Sequence, residues 1–119
     1  MASIITDELL KAVAKEFGRA AKHGDIGTGS EPLETSTELE LAQYRKITTY
    51  FTDVNTCIVQ IFLDETEAND QVYTNAGIVY GGTDALGTGK LLAGSDVFID
   101  KSPYENTTIS FELTFTRGV

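Results

Sequence analysis

Histidine occurs once in the chain, at His23, directly after Lys22. A lone histidine becomes a general base only when a nucleophile and an orienting acid are held beside it. Ser and Asp are common here, but no strand-turn-helix elbow presents a serine, so His23 reads as the close of a helix. The glycines Gly27 and Gly29, and again Gly81, Gly82, Gly87 and Gly89, could bare backbone N–H groups to a phosphate. Neither group carries the Lys-Ser/Thr ending or the G-x-G-x-x-G spacing that opens a helix, and turns needing positive backbone angles are the better account. Asp64, Glu65, Glu67 and Asp70 offer oxygen ligands to a hard cation. Their spacing departs from the helix-loop-helix calcium pattern, with its glycine at the sixth place and acid at the twelfth, and a solvated acidic turn is expected. Asn106-Thr107-Thr108 matches a glycosylation acceptor and reads as a turn leading into the last strand. No catalytic, cofactor-binding or metal-ligating residue is assigned, and an enzyme is not expected.

The elements that position these residues follow from periodicity. Thr6 can cap a helix with Asp7 and Glu8 in its first turn and Lys15, Arg19 and Lys22 later, the charge order that the helix dipole favours. Leu9, Leu10, Val13, Ala14, Phe17, Ala20 and Ala21 form one apolar stripe, with Gly24 as the stop. Residues 25–43 read as a long surface loop with one short helical turn at 38–42. Five strands are expected at 45–52, 56–63, 71–79, 90–99 and 107–116. The last alternates Ile109, Phe111, Leu113 and Phe115 with Thr108, Ser110, Glu112 and Thr114, which sets one face on a core and the other in water. In the second, Cys57, Val59, Ile61 and Leu63 share one face while Ile58 and Phe62 take the other, so it should lie centrally. Strands without intervening helices favour antiparallel pairing. The expected fold is mainly β: an antiparallel β-sandwich or jelly-roll-like domain with one N-terminal α-helix, a single domain over 1–119 with the helix in 1–24 and the sandwich body in 25–119.

Composition bounds the partners. The formal net charge is −9, which disfavours nucleic acid, since binding phosphates requires Lys and Arg. The charge is uneven: residues 1–22 hold four basic and three acidic side chains, leaving five basic and fifteen acidic ones for the body. Cys57 is the only cysteine, so no intrachain disulfide or cysteine-based zinc site can form, and burial as a small core residue is expected. Met1-Ala2-Ser3-Ile4-Ile5-Thr6 lacks the basic start of a signal peptide, and no apolar run approaches the ~20 residues of a membrane-spanning helix. A soluble product with no membrane partner is expected.

The order of segments resembles a group of small bacteriophage virion proteins, associated with tail fibres or baseplates. The resemblance rests on Ile26-Gly27-Thr28-Gly29-Ser30-Glu31-Pro32, on Thr35-Ser36-Thr37-Glu38-Leu39-Glu40, and on Tyr44-Arg45-Lys46. It continues through Asn75-Ala76-Gly77-Ile78-Val79-Tyr80, where Asn75 and Ala76 replace an acid and its neighbour, and through Gly89-Lys90-Leu91-Leu92-Ala93, where Gly94 follows in place of an arginine. The Lys101-Ser102 turn and the last strand complete it, over residues 6–117.

What the resemblance implies is a non-enzymatic virion part, assembled in the host cytoplasm, that self-associates as a homo-oligomer such as a trimer or hexamer and docks other virion proteins. A tail, baseplate or fibre-attachment subunit is the first expectation and a capsid decoration or cement protein the alternative. The long loop is expected at the interface, with Gly27, Gly29, Pro32, Leu33, Leu39, Tyr44 and Arg45 as contact residues. A third reading is a carbohydrate-binding module that stacks sugars on Tyr44, Tyr50, Tyr73, Tyr80 and Tyr104, although the chain has no tryptophan.

Overall fold

The computed structural model describes residues 3–117; Met1 and Ala2 of the opening segment lie outside the described residues. Helix α1 spans Asp7–Ala20 and is capped by Thr6, whose Oγ1 accepts from the Leu9 N–H at 3.3 Å. It ends earlier than its sequence suggests. Thr48 seals its end, donating through Oγ1 to the Ala21 carbonyl at 2.5 Å and through N–H to the Lys22 carbonyl at 2.9 Å. Gly24 therefore does not stop the helix. It lies in a strand, where a Cβ would collide with the Ile61 side chain, so the glycine serves close packing.

Seven strands follow: β1 His23–Gly27, β2 Ala42–Ile47, β3 Thr49–Asp53, β4 Thr56–Leu63, β5 Gln71–Tyr80, β6 Lys90–Lys101 and β7 Thr107–Thr114. They form two antiparallel sheets, ordered β2-β1-β5-β6 and β3-β4-β7. The fold is thus a mainly-β, antiparallel β-sandwich with one N-terminal helix. Besides Gly24, His23 is corrected, since it opens β1 instead of closing the helix, and three further expectations change. The expected loop over 25–43 opens with part of β1. The expected helical turn at 38–42 is a turn that runs into β2. The expected strand over 45–52 breaks at Thr48 into β2 and β3, which belong to different sheets.

β4 is central in its sheet, and its inward side chains are sealed: Cys57, Val59 and Leu63 are 0% exposed and Ile61 1%. Full burial of such side chains contributes roughly 1.5–3 kcal/mol each. Ile61 and Leu63 meet Ile26, Tyr73, Ala76 and Ile109 from both sheets. At the other end Cys57 and Val59 pack with Ile78 and with Ala14 and Ala21 of the helix segment. The helix presents Leu10, Ala14 and Gly18 inward, with the Tyr50 ring against Gly18, while Leu9 and Val13 of the expected stripe stay partly in water. Lys101 is 1% exposed. Its ammonium donates to the Asp64 carbonyl (2.8 Å), Asn69 Oδ1 (2.8 Å) and the Ser102 carbonyl (3.1 Å), pinning the acidic turn to the end of β6.

Candidate functional site

Along β1, Ile26 points into the core and Gly24 faces Ile61, so His23, Asp25 and Gly27 fall on the outer face of the four-stranded sheet. β2 adds Arg45 to that face, and β5 adds Asn75, Gly77 and Val79. Two connections lie across it, residues 28–41 and 81–89. Loops carry backbone carbonyls and N–H groups that need partners wherever they are covered, and buried side chains on the strands supply them.

Arg45 shows this most fully. Its Nε and Nη2 form a bidentate pair with the Asp25 carboxylate at 2.6 and 2.9 Å, and both side chains are under 5% exposed. Its remaining donors reach the carbonyls of Thr83 (2.8 Å), Ala85 (2.9 Å) and Thr88 (2.9 Å) and the Thr88 hydroxyl (2.9 Å). The guanidinium is satisfied on every side and clasps the 81–89 loop to the sheet. His23 joins the same anchor, with Nε2 2.9 Å from Asp84 Oδ1, while its buried Nδ1 meets no partner among the described residues.

The 28–41 loop is held by β5. Asn75 Nδ2 donates to the carbonyls of Ser30 (3.0 Å) and Glu40 (2.9 Å), and Thr74 Oγ1 donates to the Gly29 carbonyl at 2.7 Å. The Leu91 N–H donates to the Thr37 carbonyl at 2.9 Å. Between the two loops lies a cleft of about 320 Å³, walled by Glu38, Glu40, Thr88 and Arg45 over Val79 and Leu91.

On the inner side of β2 a second polar group closes the end of the sandwich. Tyr44 donates to Glu67 at 3.1 Å, and Lys46 forms an ion pair with the same carboxylate. Burial pushes the Glu67 carboxyl pKa up, but hydrogen bonds from the Asp64 N–H, Lys46 and Tyr44 outweigh it and hold the carboxyl below its ordinary range. Burial, then donation to Glu67, pushes the Tyr44 phenol up. Burial alone raises Tyr73 and the Cys57 thiol.

Of the seven residues expected at an interface, Gly27, Gly29, Pro32, Leu39 and Arg45 do gather at the outer face, but through contacts within the chain. Gly27 packs against Asn75 and Gly29 against Glu40, where side chains would clash. Pro32 lies on Gly94, and Leu39 is 5% exposed. Tyr44 points to the opposite face of β2, into the core with Ile26 and Ile61. Leu33, 74% exposed at the loop apex, is the one that stands free in water. Of the residues that anchor the two loops, Asp25 has no place in the sequence analysis, and Asn75 figures there only as a departure from an acid. Their signal was weak, a carboxylate and an amide inside short extended segments. The five tyrosines do not converge on one platform. Tyr73 is 2% exposed, Tyr44 faces the core, Tyr50 covers the helix, Tyr80 ends β5 and Tyr104 lies on a turn. No family model matches the chain, and no curated protein matches it.

Proposed function

We infer that the chain is a non-enzymatic assembly subunit, and that its setting is the bacteriophage virion, as a tail, baseplate or fibre-attachment component. The observation that carries this reading is the commitment of polar side chains on the outer face to fixing loops. Asn75 and Thr74 bond to carbonyls of the 28–41 loop, which supports reading it as a fixed feature with an outward apex, while Arg45 with Asp25 holds the neighbouring 81–89 loop. A rigid loop on a rigid sheet offers a neighbour a surface whose ordering entropy is already spent. The sequence resemblance supplies the virion setting. Docking goes through residues 31–37, where Leu33 stands in water and Pro32 fixes the backbone.

The test is removal of residues 31–37 behind a short glycine linker. Long surface loops tolerate such changes, so the shortened chain should fold with its cooperative melt retained. It should fail to enter particles in an infection supplied with the variant, as read by gold-labelled antibody on purified particles. A folded shortened chain that is incorporated normally overturns the loop assignment. Absence of the intact chain from purified particles overturns the virion reading.

A further inference from the structure

The two sheets do not seal the sandwich equally on all sides. Inward side chains of β4 are at most 1% exposed, whereas Phe111 and Leu113 of β7 and Ala93, Val97 and Ile99 of β6 are only half-buried. β6 and β7 are the last strands of their sheets, and they stack on the same side. Ile109 and Phe111 share a cluster with Val97 and Ile99, and Phe111 also meets Ala93 in the other cluster. Along this side the apolar interior still meets water.

The two exposed edges differ. That of β6 is obstructed: Thr37 takes the Leu91 N–H, Pro32 lies on Gly94, and the pairing with β5 slips twice. Asp96 and Asp100 add charge. β7 pairs with β4 over eight residues with no register shift, contains no proline or lysine, and carries one charge, Glu112. Among the described residues no strand pairs with its outer edge. Natural sheets protect their edges with bulges, charges or covering loops, and a straight edge without them accepts another strand.

The sequence of β7 indicates which strand. Thr108-Ile109-Ser110-Phe111-Glu112-Leu113-Thr114 reads nearly alike in both directions about Phe111. We propose that a second copy of this chain pairs β7 with β7 in antiparallel fashion about a two-fold axis at Phe111, forming one six-stranded sheet. In that register Thr108 faces Thr114 of the other copy, Ile109 faces Leu113, and the Ser110 hydroxyl can donate to the Glu112 carboxylate. The two carboxylates stay out of direct opposition, whereas a register centred on Glu112 would set them against each other. A one-residue slip within either copy would turn Phe111 out of the core, which fixes the register further. The half-exposed rows of the two copies then cover one another in an isologous contact. This pairing goes beyond the docking loop, and it is read from mass in solution, apart from particle incorporation.

The experiment is light scattering coupled to size exclusion, across a dilution series of the full chain and two double variants. Thr108→Lys with Thr114→Lys sets like charges opposite each other twice across the axis, while within one copy the two sites are far apart. Thr108→Lys with Thr114→Glu sets opposite charges there. The native chain should be a dimer, the first variant a monomer with at least a tenfold weaker association, and the second a dimer again. A native chain that stays monomeric at the highest concentration overturns the proposal, as does a dimer indifferent to the like-charge pair. Should either double variant fail to fold, Ser110→Cys with Glu112→Cys replaces it. A short bismaleimide must then link two chains through these sites, and a folded chain that does not crosslink overturns the register.

Discussion

The outer faces of the two sheets meet the solvent in opposite ways. That of the four-stranded sheet lies under two loops, and its polar side chains are spent on them: Arg45 and Asp25 are paired and under 5% exposed, and Asn75 is 0% exposed. That of the three-stranded sheet is bare. Phe51 and Phe62 are 54% and 43% exposed beside Thr108, Ser110 and Glu112, and Lys46 reaches over the Phe62 ring at 5.4 Å. The difference follows from the backbone. A covering loop brings carbonyls that must be satisfied, so the sheet beneath it needs charged and amide groups. A sheet face with no loop has no such need and can display threonine and aromatic side chains. In this chain a buried charge marks the anchor of a loop, while the exposed phenylalanines lie where no loop reaches, across the three-stranded sheet and, at Phe98, on the far strand of the other.

The largest expected effect breaks the covered face. Arg45→Ala leaves the Asp25 carboxylate buried without its partner and three loop carbonyls without their donor. Breaking a buried pair from one side costs about 3–5 kcal/mol, whereas removing both partners costs less. Chemical denaturation should show that loss for Arg45→Ala and a partial recovery in Arg45→Met with Asp25→Leu. A single variant as stable as the native chain would mean that the pair holds nothing in place.

That same pair explains what could and could not be read from the sequence. β7 is legible because it alternates polar and apolar residues from Thr108 to Thr114, and β4 because it is a near-continuous apolar run of strand length between turn signals; nothing nonlocal is needed to see either. β1 was not: His23-Gly24-Asp25-Ile26-Gly27 holds one large apolar residue, and Asp25 is tolerable inside only because Arg45 meets it twenty residues away. Gly24 resembled a helix stop by a local rule, yet its use is the close approach of Ile61, which no local rule contains. Residues 45–52 contain no glycine, proline, asparagine or aspartate, so the change of sheet between β2 and β3 leaves no turn signal in the sequence. Arg45 is expected at an interface from the sequence, but its partners in the structure are Asp25 and loop carbonyls of the same chain, and backbone atoms have no sequence signal.

A smaller effect sharpens the comparison at the rim between the faces, where Glu67 bonds Tyr44 and Lys46. Its carboxyl is held below its ordinary value of 4.5, so the folded chain binds its proton less readily than the unfolded one. The stability it contributes is complete above about pH 4.5 and is lost as the pH falls through the lowered value. Glu67→Gln should therefore cost about 1 kcal/mol at pH 7, in line with the net contribution of a single hydrogen bond. The gap to the native chain should narrow as the pH falls through that lowered value. Melting temperatures measured from pH 7 to pH 3 check this, and two curves that run parallel throughout would place the group outside the rim network.

The smallest effect concerns the bare face, and its smallness is the point. Phe51 sits on the edge strand β3, opposite Ile58 and 54% exposed, so replacing it removes little area from a core. Phe51→Thr puts a β-branched residue on a strand, where such side chains fit the pleated surface, and surface changes of this kind stay within about 0.5 kcal/mol. The variant should melt with the native chain at low concentration. It should also leave dimer mass unchanged if copies meet at β7, since β4 separates β3 from that edge. A loss above about 1 kcal/mol that grows with protein concentration would mean that this face is covered in the assembled protein. The contrast between a clad face and a bare one would then belong to the isolated chain alone, and the partner on the three-stranded sheet would lie across its face instead of along its edge.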